Sequence, residues 1–191
     1  MDGTATRPVT EYTPRVGDYF LTGLPGVAGL LIRIGQAVMG DWSRYTHAGT
    51  YVGVVDGVRS CVEATGQGLK LVPLADVLQR PLLAWSTDDI PEDARALIAT
   101  LALADLGAAY GWLTYAQLVA DQFGLKATRL RAYVATSTNR ICSQSVDYYR
   151  MVAGVHMFND GRQPGDVSPG NLAQVGTVWH ARTGPYLEVA K

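Results

Sequence analysis

The segment from Tyr45 to Ala64 can fold in few ways. Tyr45-Thr46-His47-Ala48-Gly49-Thr50-Tyr51-Val52-Gly53-Val54-Val55 is rich in β-branched and aromatic residues and reads as a strand. Asp56-Gly57 follows, the strongest short hairpin signal, because both central positions of a type I′ turn need positive φ. Val58-Arg59-Ser60-Cys61-Val62-Glu63-Ala64 is then the return strand. Adjacent strands thus offer a histidine, at a strand mouth, and a carboxylate. A tight two-residue turn sets Glu63 opposite Thr50 and points it away from His47; a bulge between them returns both to one face. Gly49 and Gly53 share the face of His47 by alternation, and their missing side chains let another element approach, the later cysteine helix being the candidate.

That helix is announced by Arg140-Ile141-Cys142-Ser143-Gln144-Ser145-Val146-Asp147-Tyr148-Tyr149-Arg150. Thr136, Ser137 and Thr138 lead into it, and Val146, Tyr149 and Val152 recur at helical spacing. Cys142 therefore stands at a helix start, where unpaired N–H groups and the positive end of the macrodipole favour thiolate over thiol. The competing reading is a buried structural cysteine. Cys142, His47 and Glu63 as an orienting acid are the parts of a nucleophilic catalyst, recognised by geometry and not by chain order. The Cys142 N–H is a ready oxyanion donor. Two other histidines compete as base. His156 lies near the end of the cysteine helix and cannot easily fold back, and His180 lacks the strand context of His47. Cys61 reads as small and buried.

Other segments complete an α+β pattern, a small antiparallel sheet flanked by helices. Strands are expected at Tyr19–Thr22, Leu69–Leu74 and Leu82–Ser86, and a helix at Val27–Met39 with Gly40 as its C-cap. Pro91-Glu92-Asp93 starts a helix that continues through Ala94–Ala109, another spans Trp112–Gln122, and the cysteine helix runs to Ala153 before Gly154. The 191 residues suit one domain: residues 1–15, polar with two prolines, form an arm, and 16–191 form the domain.

A formal charge of −1 gives no basis for binding nucleic acid or an anionic membrane surface. Two cysteines make no disulfide framework, and without a CxxC pair or HExxH neither a metal nor a cofactor is called for. The first residues lack the apolar core of a secretory signal, and the stretches near Val27–Ile34 and Leu97–Ala104 are too short to span a bilayer. The expectation is a soluble protein made in the cytoplasm. Abundant Arg, Ala, Val and Gly suggest a GC-rich genome such as that of an actinobacterium or one of its phages; without a secretory signal, a substrate outside the cell would require a carrier such as a lysis system or a virion.

The runs Val16-Gly17-Asp18-Tyr19-Phe20, His47-Ala48-Gly49-Thr50-Tyr51-Val52-Gly53, Val62-Glu63-Ala64 and Ile141-Cys142-Ser143 occur in an order that resembles the permuted NlpC/P60 papain-like cysteine hydrolases. In that branch, with its YiiX/YaeF-like and lecithin retinol acyltransferase-like groups, His precedes Cys. The resemblance runs from about Val16 to Leu172 and includes Pro164-Gly165-Asp166-Val167-Ser168-Pro169-Gly170-Asn171-Leu172, similar to the segment after the cysteine helix in YiiX-like members. It implies a circularly permuted papain-like fold and a Cys142–His47–Glu63 triad working through a thioacyl-enzyme. Peptidoglycan stem peptides are the familiar substrates of relatives. Tyr110, in Gly107-Ala108-Ala109-Tyr110-Gly111-Trp112, resembles a G-x-x-Y element and reads as a cleft border or as a core aromatic. Tyr45 is the other candidate substrate contact. Two alternatives stand beside the amidase reading. One is a lipid acyl hydrolase or acyltransferase with Val27–Val38 lining an acyl channel; the other is a structural component, as of a phage particle, that keeps the fold.

Overall fold

The computed structural model describes residues 12–65, 67–108, 141–175 and 178–183. Strands β1 (Tyr19–Thr22), β2 (His47–Val55), β3 (Val58–Thr65), β4 (Gly68–Pro73), β5 (Leu82–Ser86) and β6 (Val178–Thr183) form an antiparallel sheet ordered β4-β3-β2-β1-β5-β6. Helices α1 (Gly26–Met39), α2 (Leu74–Leu78), α3 (Glu92–Ala104), α4 (Cys142–Val152) and α5 (Pro169–Val175) accompany it, with a 3-10 turn at Pro164–Asp166. The α+β class matches the expectation, and the hairpin closes at Asp56 (φ 49°) and Gly57 (φ 80°).

Strand alternation divides the core in two. One set gathers Tyr19, Leu21, Ala48, Val62 and Ala64 under Ile98, Ala99 and Ala102 of α3 and Cys142, Val146 and Tyr149 of α4. The other gathers Phe20, Tyr51, Cys61, Leu83 and Trp85 with Leu74 and Val77 of α2. Arg95 locks α3 to the start of β1, its Nη1 donating to Asp18 Oδ1 at 2.7 Å within a buried pair and also to the Val16 carbonyl. The close approach needs Gly17, where a Cβ would stand 3.0 Å from the Arg95 Cα.

The hairpin register carries one irregularity. Val55 pairs with Val58, Val54 with Arg59 and Gly53 with Ser60, but Tyr51 pairs with Cys61, so β2 holds an extra residue between Tyr51 and Gly53. Gly53 takes φ +90° there, a backbone that an L side chain rarely adopts. Beyond the bulge Glu63 pairs with Gly49, not Thr50.

Several boundaries differ from the sequence reading. The strand expected to reach Leu74 ends at Pro73, which has no N–H for the ladder, and Leu74 opens α2 instead. The helix expected to continue to Ala109 stops at Ala104. There Gly107 turns at φ +84°, and β4 captures the chain through Gly107 N–H to Leu69 O and Leu69 N–H to Ala108 O, both 2.9 Å. The helices α2 and α5 and the strand β6 were not anticipated. The helix expected over Trp112–Gln122 lies outside the described residues.

Candidate active site

His47 opens β2, paired with Thr22 of β1, and its ring is buried. Because the bulge puts Glu63 beside Gly49, the residue two positions along from His47, the carboxylate shares the imidazole's face. His47 Nε2 lies 3.0 Å from Glu63 Oε2, with the two side chains 4% and 8% exposed.

Cys142 opens α4 and is 3% exposed. Its first turn is fixed to the chain that follows the helix. Ser143 Oγ donates to Val167 O at 2.7 Å, and Gln144 Nε2 donates to Gly165 O at 2.6 Å while its Oε1 accepts the Ile141 N–H at 3.1 Å. Ser168 Oγ in turn meets Asp41 Oδ2, which joins the end of α1 to the start of α5. The Pro164–Leu172 stretch therefore serves as the seat of the cysteine helix. Although Cys142 packs with the Ala48 set and His47 with the Phe20 set, they meet at the sheet's end, where β2 and α4 both begin. The Cys142 sulfur sits beside the His47 imidazole and the backbone N–H groups of Ala48 and Ser143, all of which act on its charge.

The electrostatics follow from these contacts. Burial pushes the Cys142 thiol up, but the His47 charge and hydrogen bond outweigh it, aided by the two N–H groups, so the thiol lies below its ordinary value. Burial opposes a charge on His47, yet the Cys142 sulfur and then Glu63 prevail and raise it from 6.5 to about 9. Glu63 is raised by burial and lowered more strongly by hydrogen bonds from His47 and Arg80, falling from 4.5 to about 2. The groups favour a thiolate–imidazolium pair.

Arg80 is the residue sequence reasoning missed. It donates from Nη1 to Glu63 Oε2 at 2.7 Å and from Nη2 to Oε1 at 2.9 Å. Its guanidinium lies 5.3 Å from the Phe20 ring centroid. An arginine before Pro81, after a short helix that was itself unforeseen, carries no motif by which it could have been found.

The glycine expectation needs correcting. A Cβ on Gly49 would come within 2.5 Å of the Phe20 ring and 2.8 Å of Val62 O, so Phe20 of β1 uses the space and the cysteine helix does not. Gly53 meets the Val16 side chain instead. Tyr45 is a core side chain, 3% exposed, packed in the cluster of Ala48 and Cys142, and offers no open surface to a substrate. Tyr110 lies outside the described residues. His156 is bonded to Asp147 Oδ2 of α4 at 3.0 Å. His180 sits in β6 opposite Ala84, three strands from β2, or about 14 Å at ordinary strand spacing. Cys61 is buried on the Glu63 face, where burial and then the Glu63 charge push its thiol up. The apolar side chains of α1 do not line a channel: Val27, Leu30, Leu31, Ile34 and Val38 stand exposed along its outer side.

No family model matches the chain, and no curated protein matches it. Among solved structures, metalloprotein yiiX from Escherichia coli O157:H7 superposes with a TM-score of 0.56, covering 91% of this chain and 91% of its own, at 15% sequence identity. The two share a fold. The likeness to yiiX extends over nearly the whole chain and concerns architecture alone. Among the described residues no helix is long and apolar enough to cross a membrane.

Proposed function

We propose that this protein is a cysteine-dependent acyl hydrolase of permuted papain-like architecture, with Cys142 as nucleophile, His47 as general base and acid, and Glu63 as the orienting acid. One observation carries the reading: the Cys142 side chain at a helix start sits beside an imidazole whose Nε2 lies 3.0 Å from a buried carboxylate. With Nε2 engaged, Nδ1 is the nitrogen that serves the thiol.

The steps follow from those roles. His47 holds the Cys142 proton, and the thiolate adds to a carbonyl carbon. The oxygen of the tetrahedral intermediate takes its negative charge beside the Cys142 N–H, which has no intrahelical acceptor at a helix start. The C–N bond breaks as His47 protonates the departing amine, leaving a thioacyl-enzyme. Water, deprotonated by His47, then releases the acid and restores the thiol. The preferred substrate is an amide of the cell-wall stem-peptide type.

A second reading, cleavage or transfer of a lipid acyl group, is favoured by one feature. The helix α1, with its exposed apolar stripe, connects Thr22 to the region of His47, and those two residues are cross-strand partners. Such a stripe offers an amphiphile an apolar surface to lie against.

The yiiX structure is described as that of a metalloprotein, but the described residues of this site do not fit a metal. No cluster of three or more His, Cys, Asp or Glu side chains suited to an ion occurs among the described residues. Both Glu63 oxygens accept from Arg80, whose charge opposes a cation at that carboxylate.

The test is a mass-spectrometric search for an acyl adduct on Cys142 after incubation with peptidoglycan stem peptides and, separately, with fatty-acyl esters. An adduct from the peptides, absent in Cys142→Ala, is the expected result. An adduct from the esters alone transfers the assignment to the lipid reading. No adduct and no product from either contradicts the hydrolase reading.

A further inference from the structure

We propose that Arg80 is a positioning residue of this site: seated on Phe20, its guanidinium clamps Glu63 so that one carboxylate oxygen is held toward His47. The inference rests on the Cys142–His47–Glu63 reading and adds a fourth member to it.

The geometry is a two-point fork. Arg80 Nη1 and Nη2 reach the two oxygens of Glu63 at 2.7 and 2.9 Å, and Oε2, which takes the shorter of these bonds, is also the atom 3.0 Å from His47 Nε2. Such bidentate pairing fixes the carboxylate plane as well as its place. A glutamate needs this more than an aspartate would, since it has one more rotatable bond between backbone and carboxylate, and an unclamped carboxylate would reach His47 in many orientations.

The seat of the clamp is built into the sheet. Trp85, Phe20, Gly49, Glu63 and Lys70 form one row of cross-strand partners from β5 to β4. The missing side chain at Gly49 lets the Phe20 ring lean over the row, where a Cβ would come within 2.5 Å of it. The ring then carries the Arg80 guanidinium at 5.3 Å and meets the His47 ring edge-on at 6.4 Å. One aromatic side chain thereby spaces both partners of Glu63, which gives the glycine after His47 a purpose within the site.

The charges agree with the geometry. Thiolate Cys142, imidazolium His47, carboxylate Glu63 and guanidinium Arg80 make two charges of each sign. Among the described residues, the other groups near Glu63 are the neutral Cys61 thiol on its own strand and Lys70, its partner on β4, whose ammonium bonds Gln67. Removal of Arg80 leaves the buried site with one excess negative charge, which is relieved by proton uptake at Glu63 or Cys142. Lysine restores the charge without the fork, so the two substitutions separate charge from geometry.

The experiment measures the pH dependence of Cys142 alkylation by iodoacetamide in the full chain carrying Cys61→Ser, comparing it with Arg80→Met and Arg80→Lys in the same background. Arg80→Met is expected to move the acid limb up by about one pH unit and slow the reaction at neutral pH by about tenfold. Arg80→Lys is expected to keep the limb and lose about two- to fivefold in rate, the loss from geometry alone. An unmoved limb in Arg80→Met overturns the proposal, including the case where rate falls only in step with folded protein measured by circular dichroism. If the parent protein is unreactive, or indifferent to His47→Ala, the hydrolase reading has failed instead. The clamp is then still read by carbon NMR titration of the Glu63 carboxyl in Cys142→Ala. That titration must move up with Arg80→Met and stay with Arg80→Lys, and no movement overturns the proposal.

Discussion

Glu63 pairs with Gly49 across the β2–β3 ladder, and the extra residue of β2 next to Gly53 is what makes that pairing possible. The bulge depends on a positive φ that Gly53 supplies. Gly53→Val should therefore cost about 1–2 kcal/mol in backbone strain and push the ladder toward the regular register, in which Glu63 leaves the face of His47. Urea denaturation measures the first effect, and a lower Cys142 alkylation rate at neutral pH in protein that is still folded measures the second.

Gly49→Ala should be damaging for a different reason. Its Cβ has nowhere to go between the Phe20 ring and the Val62 carbonyl. A loss of about 1–3 kcal/mol is expected from overpacking, together with displacement of the ring that lies between His47 and Arg80. Thermal denaturation followed by circular dichroism gives the stability change, and Phe20→Leu in the same chain should recover part of it.

Glu63 makes stability depend on acidity. Its folded pKa of about 2 lies below the ordinary 4.5, so its contribution is complete above about pH 4.5 and is lost as the pH falls toward 2. At about 1.4 kcal/mol per unit the displacement corresponds to roughly 3 kcal/mol. Denaturant unfolding at pH 6 and at pH 3 should show a smaller acid-induced loss for Glu63→Gln than for the unaltered protein.

Asp18 and Arg95 form a buried ion pair that holds α3 against β1. Arg95→Met leaves the Asp18 charge without its guanidinium partner and should cost about 3–5 kcal/mol. Adding Asp18→Asn removes the stranded charge, so the double variant should be more stable than Arg95→Met alone. A double-mutant cycle by urea denaturation checks the order.

What the sequence disclosed, and what it withheld, follows from the range of each signal. The β2–β3 hairpin and the Gly40 end of α1 were legible because turn and cap chemistry is local. The cysteine helix was legible because its start and spacing lie in one segment. The choice between Thr50 and Gly49 as partner of Glu63 was open, since one bulge reverses the face and any position in the strand can host it. Arg80 was invisible because its role exists only where α2 returns the chain over Phe20. The space at Gly49 was assigned to the wrong neighbour, as alternation tells which face is bare and not what fills it. Tyr45, a candidate substrate contact by sequence, packs instead in the core cluster under the cysteine helix, and burial of that kind is set by tertiary packing that no local pattern encodes.

The central claim is that Cys142 and His47 form one ionised unit. The direct measurement is the pH dependence of Cys142 alkylation by iodoacetamide, with Cys61→Ser to isolate the signal and His47→Ala as comparison. The account predicts fast alkylation at pH values well below the ordinary thiol range. In His47→Ala, with burial then unopposed by the imidazolium, it predicts a rate at pH 7 lower by about 100-fold, rising only in the alkaline range. A Cys142 that titrates like an ordinary thiol, or whose profile is unchanged when His47 is removed, would contradict the account.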